Sequence, residues 1–223
     1  MEMRDGGAPK RAAASKLRRW KSAHALACVH QLNEHCLAVL AQCAAAPRGA
    51  VVLPAVIERD RDSWSQLDNE SRKHAAQNPI LLLDFHFLDA DWWSAIANGP
   101  ASAAGQLPGI GFPMTLANEL ASEMLMLAWS AAREDQLTAR LLLGMSNRVS
   151  QCVAVLTPGD VNRIASNHGQ DVRLRWQDSP MFWRTLLATA RRGDLALLRE
   201  VHLHSLQLLG RDALVNLAGV FNA

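Results

Sequence analysis

At 223 residues and 49% apolar composition, the chain is long enough to bury a real core as one large or two small domains. No apolar run reaches the roughly 18 residues of a membrane-spanning helix, and the basic, Ala-rich residues 1–15 lead into no apolar leader segment. A net charge of +2 is not the footprint of a strong autonomous nucleic-acid binder, and four scattered cysteines without a framework point to a reducing, cytoplasmic setting.

Residues 1–10, with Gly6, Gly7 and Pro9, are expected to be disordered. Ala12 to Ala46 lacks Gly and Pro, and Leu26, Val29, Asn33, Cys36, Leu40 and Cys43 recur at spacings of three and four. This predicts one long amphipathic helix, favoured as a bundle helix over a dimer coiled coil, with polar Asn33 as a register device inside the stripe. His24 and Cys28 form an i, i+4 pair, but no second pair completes a metal site, so no metal is expected. Pro47 to Pro54 breaks the helix, and the polar stretch Glu58 to Gln77 predicts a solvated surface helix.

Asn78-Pro79 opens the apolar run Ile80 to Leu88, a buried segment whose pattern leaves helix and strand unresolved. Asp89 is placed to cap a helix from Ala90 to Asn98. Asp84, His86, Asp89 and Asp91 have the residue types for metal ligands or a His–carboxylate base. No Gly-rich phosphate cradle or nucleophile elbow accompanies them, and Asp89 and Asp91 read better as helix-start residues, so the chain is not expected to be an enzyme. Gly99 to Pro113 reads as a linker between a helical region at 1–98 and a second unit at 114–223.

Beyond it, Thr115 to Leu143 predicts one long helix whose wide apolar surface suits a dimer, a hetero-complex or a crowded monomer core equally. Ser146 caps a short helix, and Thr157-Pro158-Gly159-Asp160 opens another with a capping-box variant. The two make a helix-turn-helix candidate. Ser179-Pro180 starts a helix that Gly193 ends. Asp194 caps a further one, Gly210 stops it, and Asp212 caps a last short helix. The fold class expected is all-α.

Leu143-Gly144-Met145-Ser146, Leu156-Thr157, Arg163-Ile164-Ala165 and Arg175-Trp176 fall at spacings that resemble the FlhD subunit of the flagellar master transcription activator. The resemblance covers residues 137–187, with Asp194-Leu195 and the run to Leu209 similar to that family's C-terminal portion. FlhD proteins are small, whereas this chain adds about a hundred residues before the matching part. A cysteine that can link FlhD protomers would fall at Val172, and Cys28, Cys36, Cys43 and Cys152 lack the close pairs of the zinc site in the partner subunit FlhC.

The resemblance implies a cytoplasmic bacterial transcriptional regulator, an activator subunit in a homo- or hetero-oligomer, without cofactor or membrane. It reaches DNA chiefly through an FlhC-like partner. Within this subunit, Arg163, Arg173 and Arg175 are the expected DNA-backbone contacts, weighed against ion pairs with Asp160, Asp171 and Asp178. The alternative expectation is a helical accessory or chaperone-like protein of a secretion or conjugation system that binds no DNA.

Overall fold

With no Gly or Pro after Pro9, the described residues open on a single 38-residue helix, α1 (Ala8–Ala45). The computed structural model describes residues 8–98 and 114–221; the remaining parts of the stretches expected to be disordered and to form a linker lie outside the described residues. The expected disorder at 1–10 is corrected at its end, because Ala8, Pro9 and Lys10 belong to the first turn of α1. Proline is tolerated there, where its missing N–H would have had no helical partner.

Val29, Leu32, Cys36, Leu37, Leu40 and Cys43 of α1 are buried, and the helix packs within its own chain, as a bundle helix does. Burial pushes the thiols of Cys36 and Cys43 up from their ordinary value, so both are packing groups. After a first turn α2 (Ala55–Glu58), the surface helix expected at 58–77 is instead two short pieces, α3 (Arg61–Ser65) and α4 (Asn69–Ala76). Two residues account for the difference. Trp64 is drawn fully into the core beneath α1, and Asp68 then restarts the helix by accepting the Ser71 N–H at 2.8 Å. Arg61 turns inward and donates from Nε to the Ala44 carbonyl at 2.7 Å and from Nη2 to that of Ala46, closing the C-terminal end of α1.

The run after Asn78 is neither a helix nor a full strand. Ile80, Leu81, Leu82, Leu83, Phe85 and Phe87 are all buried in an extended thread through the core. Backbone groups this deep need partners. Leu81 N–H donates to the Leu142 carbonyl, Leu82 N–H to Asn33 Oδ1, and Phe87 carbonyl accepts from Ser146 N–H, each at 2.8–2.9 Å. At its centre β1 (Leu83–Asp84) pairs antiparallel with β2 (Arg173–Leu174) in the register Leu83↔Leu174 and Asp84↔Arg173. Asp89 then caps α5 (Ala90–Asn98), accepting the Trp92 N–H at 2.9 Å.

The single helix expected over 115–143 is two, α6 (Met114–Glu134) and α7 (Gln136–Leu143). Asp135 is extended between them. Its carboxylate accepts the Leu137 N–H and the Thr138 hydroxyl, a local alternative to continuing the helix. Then come α8 (Asn147–Ala154), α9 (Pro158–His168), α10 (Pro180–Arg192) and α11 (Leu195–Phe221). Gly193 ends α10 in the left-handed conformation at φ 64°, and Asp194 caps α11, both as the sequence predicts.

α11 does not stop at Gly210. A mid-helix glycine costs about 1 kcal/mol relative to alanine. Buried Leu208 before it and Asp212 after it, bonded to Trp176 Nε1 at 2.8 Å, hold the helix on both sides. That contact commits the Asp212 carboxylate, so no new helix is capped there.

The fold is all-α, with eleven α-helices and one short ladder among the described residues. One apolar cluster runs from Val29 to Leu208. It takes in side chains from both sides of the boundary expected at 99–113. Across that boundary α1 packs on α6, α4 on α10, and His74 Nδ1 lies 3.1 Å from the Ala190 carbonyl oxygen. The expected N-terminal extension is therefore part of the same core as residues 114–216.

Candidate nucleic-acid interface

The helix-turn-helix candidate is built as the sequence predicts at both starts. Ser146 Oγ accepts the Val149 N–H at 3.1 Å and begins α8. Thr157 and Asp160 form a reciprocal capping box at the start of α9, with Pro158 at its first position. These bonds, and that from Arg163, hold the Asp160 carboxyl down to about 2. Val149, Ser150 and Val153 of α8 and Val161, Ile164 and Ala165 of α9 are buried. Both helices seat on α6, and Trp129 of α6 donates its Nε1–H to the Leu156 carbonyl at 2.8 Å, pinning the turn between them.

Apart from Val155 in the turn, which is 81% exposed, the outer faces of the two helices are polar. α9 exposes Asn162, Arg163, Ser166 and Asn167, and α8 exposes Asn147, Arg148 and Gln151. Amide and guanidinium groups of this kind read base edges and phosphates. Arg163 pairs with Asp160 at 3.1 Å across one helical turn and stays exposed. Arg148 has no side-chain partner among the described residues, which leaves its guanidinium available. The sequence reading missed it. Its signal was its place two residues after the Ser146 cap, on the polar side of a helix whose apolar face begins at Val149.

The three arginines expected to act together are not brought together. Arg163 is on the outer face of α9. Arg175 is 5% exposed, and its guanidinium donates to the carbonyls of Leu83 at 3.0 Å and Leu143 at 2.6 Å while pairing with Asp84 at 3.1 Å. Every one of those partners is internal, so Arg175 fastens the core and offers DNA nothing in this conformation. Arg173 lies on β2 with Nε and Nη2 shut from solvent and unpartnered.

Two of the four motifs that resemble FlhD meet at this fastening. Gly144 ends α7 at φ 63°, and a Cβ there would come within 2.5 Å of Leu209 Cδ1 and 3.0 Å of the Arg175 guanidinium. Leu143-Gly144 and Arg175-Trp176 therefore form one packing contact. No family model matches the chain, and neither a curated protein nor a solved structure is found to be similar to it. The resemblance rests on the motifs themselves.

The carboxylate and histidine set at 84–91 splits. Asp84 turns to Arg175, while Asp89 Oδ2 lies 3.7 Å from His86 Nδ1. Among the described residues no group of three or more His, Cys, Asp or Glu side chains is placed to hold a metal ion. His86 is held below its ordinary value of 6.5 by burial and then by the Arg173 charge, against the opposing pull of Asp171, Asp84 and Asp89. Burial also lowers His30 of α1, and burial and then His30 lower His202 of α11; Nε2 of each is buried without a partner.

All three rings favour the neutral form in the folded chain. The unfolded chain consequently binds more protons below about pH 6.5, and stability rises with pH through that window. The melting temperature is expected to hold near pH 7.5 and to fall as the pH drops through 6.5 towards 5.5. His30→Gln with His202→Gln should flatten that fall; a profile with the same slope in the double variant would remove the pair as its cause.

Proposed function

We propose that the protein is a transcriptional regulator, an activator subunit that works in a DNA-bound hetero-oligomer. The observation that carries this reading is the outer face of α9, where Asn162, Arg163, Ser166 and Asn167 stand on a helix fixed to α6 and held at its start by a capping box. A rigid recognition helix with its base-reading groups outward is what major-groove entry requires. Arg163 and, from α8, Arg148 are its phosphate or guanine contacts. The small net charge fits a subunit whose partner supplies much of the affinity.

The test is recovery of the tagged protein from its native cell with bound DNA and proteins both sequenced. A small set of promoters is expected in company with an FlhC-like subunit. Arg148→Ala with Arg163→Ala should leave the melting temperature unchanged, since both side chains are exposed. In the assembled complex it should cut operator affinity at least tenfold and lower the slope of log affinity against log salt by roughly 2. An unchanged slope would remove both residues from the interface.

A second reading, a helical accessory protein of a secretion or conjugation system, is favoured by a different feature. α11 exposes Leu195, Leu203, Leu206, Leu214 and Val215, an apolar surface suited to a protein partner. Recovery of envelope components without DNA enrichment would establish that reading instead.

A further inference from the structure

α11 is apolar on two opposite sides. Leu198, Val201, Ser205 and Leu208 face the core at spacings of three and four. On the far side Leu203, Leu206, Gly210 and Leu214 form a second stripe, with Ala196 one heptad before Leu203, and all five are exposed. A helix that is apolar all round is one packed on both sides, and this chain covers only one of them.

Gly210 marks the outer stripe as a contact. A Cβ placed there would meet nothing within 4 Å, so packing inside the chain does not require glycine. The position nevertheless carries the cost of a mid-helix glycine, about 1 kcal/mol. Glycine and alanine on an outward stripe let the backbone of a second helix approach closely.

Charge on one flank of the stripe indicates which helix that is. Glu200, Gln207 and Arg211 are exposed along this flank. Glu200 and Arg211 stand equidistant from the midpoint between Ser205 and Leu206. Glu200 has no ion pair among the described residues, and Arg211, itself in solvent, reaches its neighbour Asp212 at 3.6 Å. A two-fold axis at that midpoint runs a second α11 antiparallel to the first and sets each flank against its own counterpart. Glu200 of each copy then stands opposite Arg211 of the other. The same operation brings Ala196 opposite Val215, a small side chain against a larger exposed one. A parallel pair would instead oppose Glu200 to Glu200 and Arg211 to Arg211, which like-charge repulsion disfavours.

We propose that the outer face of α11 is a homodimer interface, on which a second copy of this chain lays its own α11 antiparallel about a two-fold axis at Ser205–Leu206. Leu203 of each copy seats beside Leu206 and Gly210 of the other, and two Glu200–Arg211 ion pairs fix the register. The apolar surface that favours an accessory protein is then covered by the chain itself. What the face of α9 binds does not enter this inference.

The experiment is sedimentation equilibrium of the full chain between about 1 and about 100 µM. The mass is expected to rise from the 24.4 kDa of one chain to twice that value. Leu203→Glu should keep the chain monomeric throughout. Gly210→Leu should weaken dimerisation at least tenfold without loss of helix content, because its side chain has open space in the single chain. Glu200→Arg should weaken it at least threefold, and adding Arg211→Glu should restore it, since the reversed pairs re-form across the axis.

Far-UV circular dichroism checks that each variant is folded. If Leu203→Glu is not, Gly210→Leu and the charge reversal carry the comparison. A chain still monomeric at the highest concentration would overturn the proposal. So would a dimer that Gly210→Leu and Glu200→Arg both leave intact, which would place the interface elsewhere. Neither result bears on the face of α9, whose test is DNA recovery.

Discussion

Arg175→Ala is expected to lower the unfolding free energy by about 3–5 kcal/mol, the range for removing one partner of a buried ion pair. The guanidinium is buried, and its loss strands the Leu83 and Leu143 carbonyls and the half-buried Asp84 carboxylate together. The same residue anchors the chain through its backbone: its N–H donates to the Leu82 carbonyl and its carbonyl accepts from Trp183 Nε1. Those bonds survive substitution, so the variant should lose stability without losing its fold. Urea denaturation would read this as a lower midpoint at an unchanged slope. Arg175→Met combined with Asp84→Asn, which leaves no charge unpaired, should recover part of the loss. A single alanine variant as stable as the parent would show that Arg175 is solvated and available for binding after all. Arg163→Ala, at an exposed pair, is the matched control and should not move the midpoint.

Asn33 carries the second large effect. It is 0% exposed in the middle of α1. Its Oδ1 accepts the Leu82 N–H at 2.8 Å, and its Nδ2 faces the carbonyls of Ala76, Asn78 and Ile80 at 3.1–3.5 Å. One amide thus answers backbone groups along the whole entry to the buried thread. Asn33→Leu, close in volume and apolar, leaves the Leu82 N–H unpaired in the core and is expected to cost about 2–4 kcal/mol. Asn33→Asp should be as damaging, because it keeps the acceptor but turns a charge against carbonyl oxygens. Stability within 0.5 kcal/mol of the parent for Asn33→Leu, an order-of-magnitude threshold for an ordinary surface change, would mean that the thread is held by burial alone.

Local signals that depended on neighbouring residues held in most places, Gly210 and Asp212 excepted, where α11 runs straight through. The caps at Ser146, Asp89 and Asp194, the capping box at Thr157 and the stop at Gly193 all stand where side-chain chemistry placed them. Asn33 was recognised as a register device in the stripe, but its partner is an extended segment some fifty positions on, and no pattern within α1 reveals that. Trp64 inside a polar run was overridden by the core beneath α1, whereas the break at Asp135 is local, made by its own bonds to Leu137 and Thr138. Arg175 was the costliest misreading. In Val172-Arg173-Leu174-Arg175-Trp176 alternation sets the two arginines on one outward side. The strand is only two residues long, however, Trp176 turns away at φ 51°, and the Arg175 side chain is taken up by Leu83, Asp84 and Leu143.

The thread at 80–87 also bears on how the chain is born. Its backbone partners come from Asn33, from Leu142 and Ser146, and from β2 and Arg175, the last of these more than 90 residues downstream. A nascent chain leaving the ribosome with residues 1–98 exposed would hold its most apolar segment with Asn33 present but without Leu142, Ser146, β2 and Arg175. That segment must wait for β2 to emerge, which at ordinary translation rates is several seconds or more. High-contact-order pairing of this kind folds late. During that interval Ile80 to Phe87 is the stretch a chaperone would shield, and shortened chains that end before Arg175 should be cleared from the cell rather than persist as a working N-terminal half.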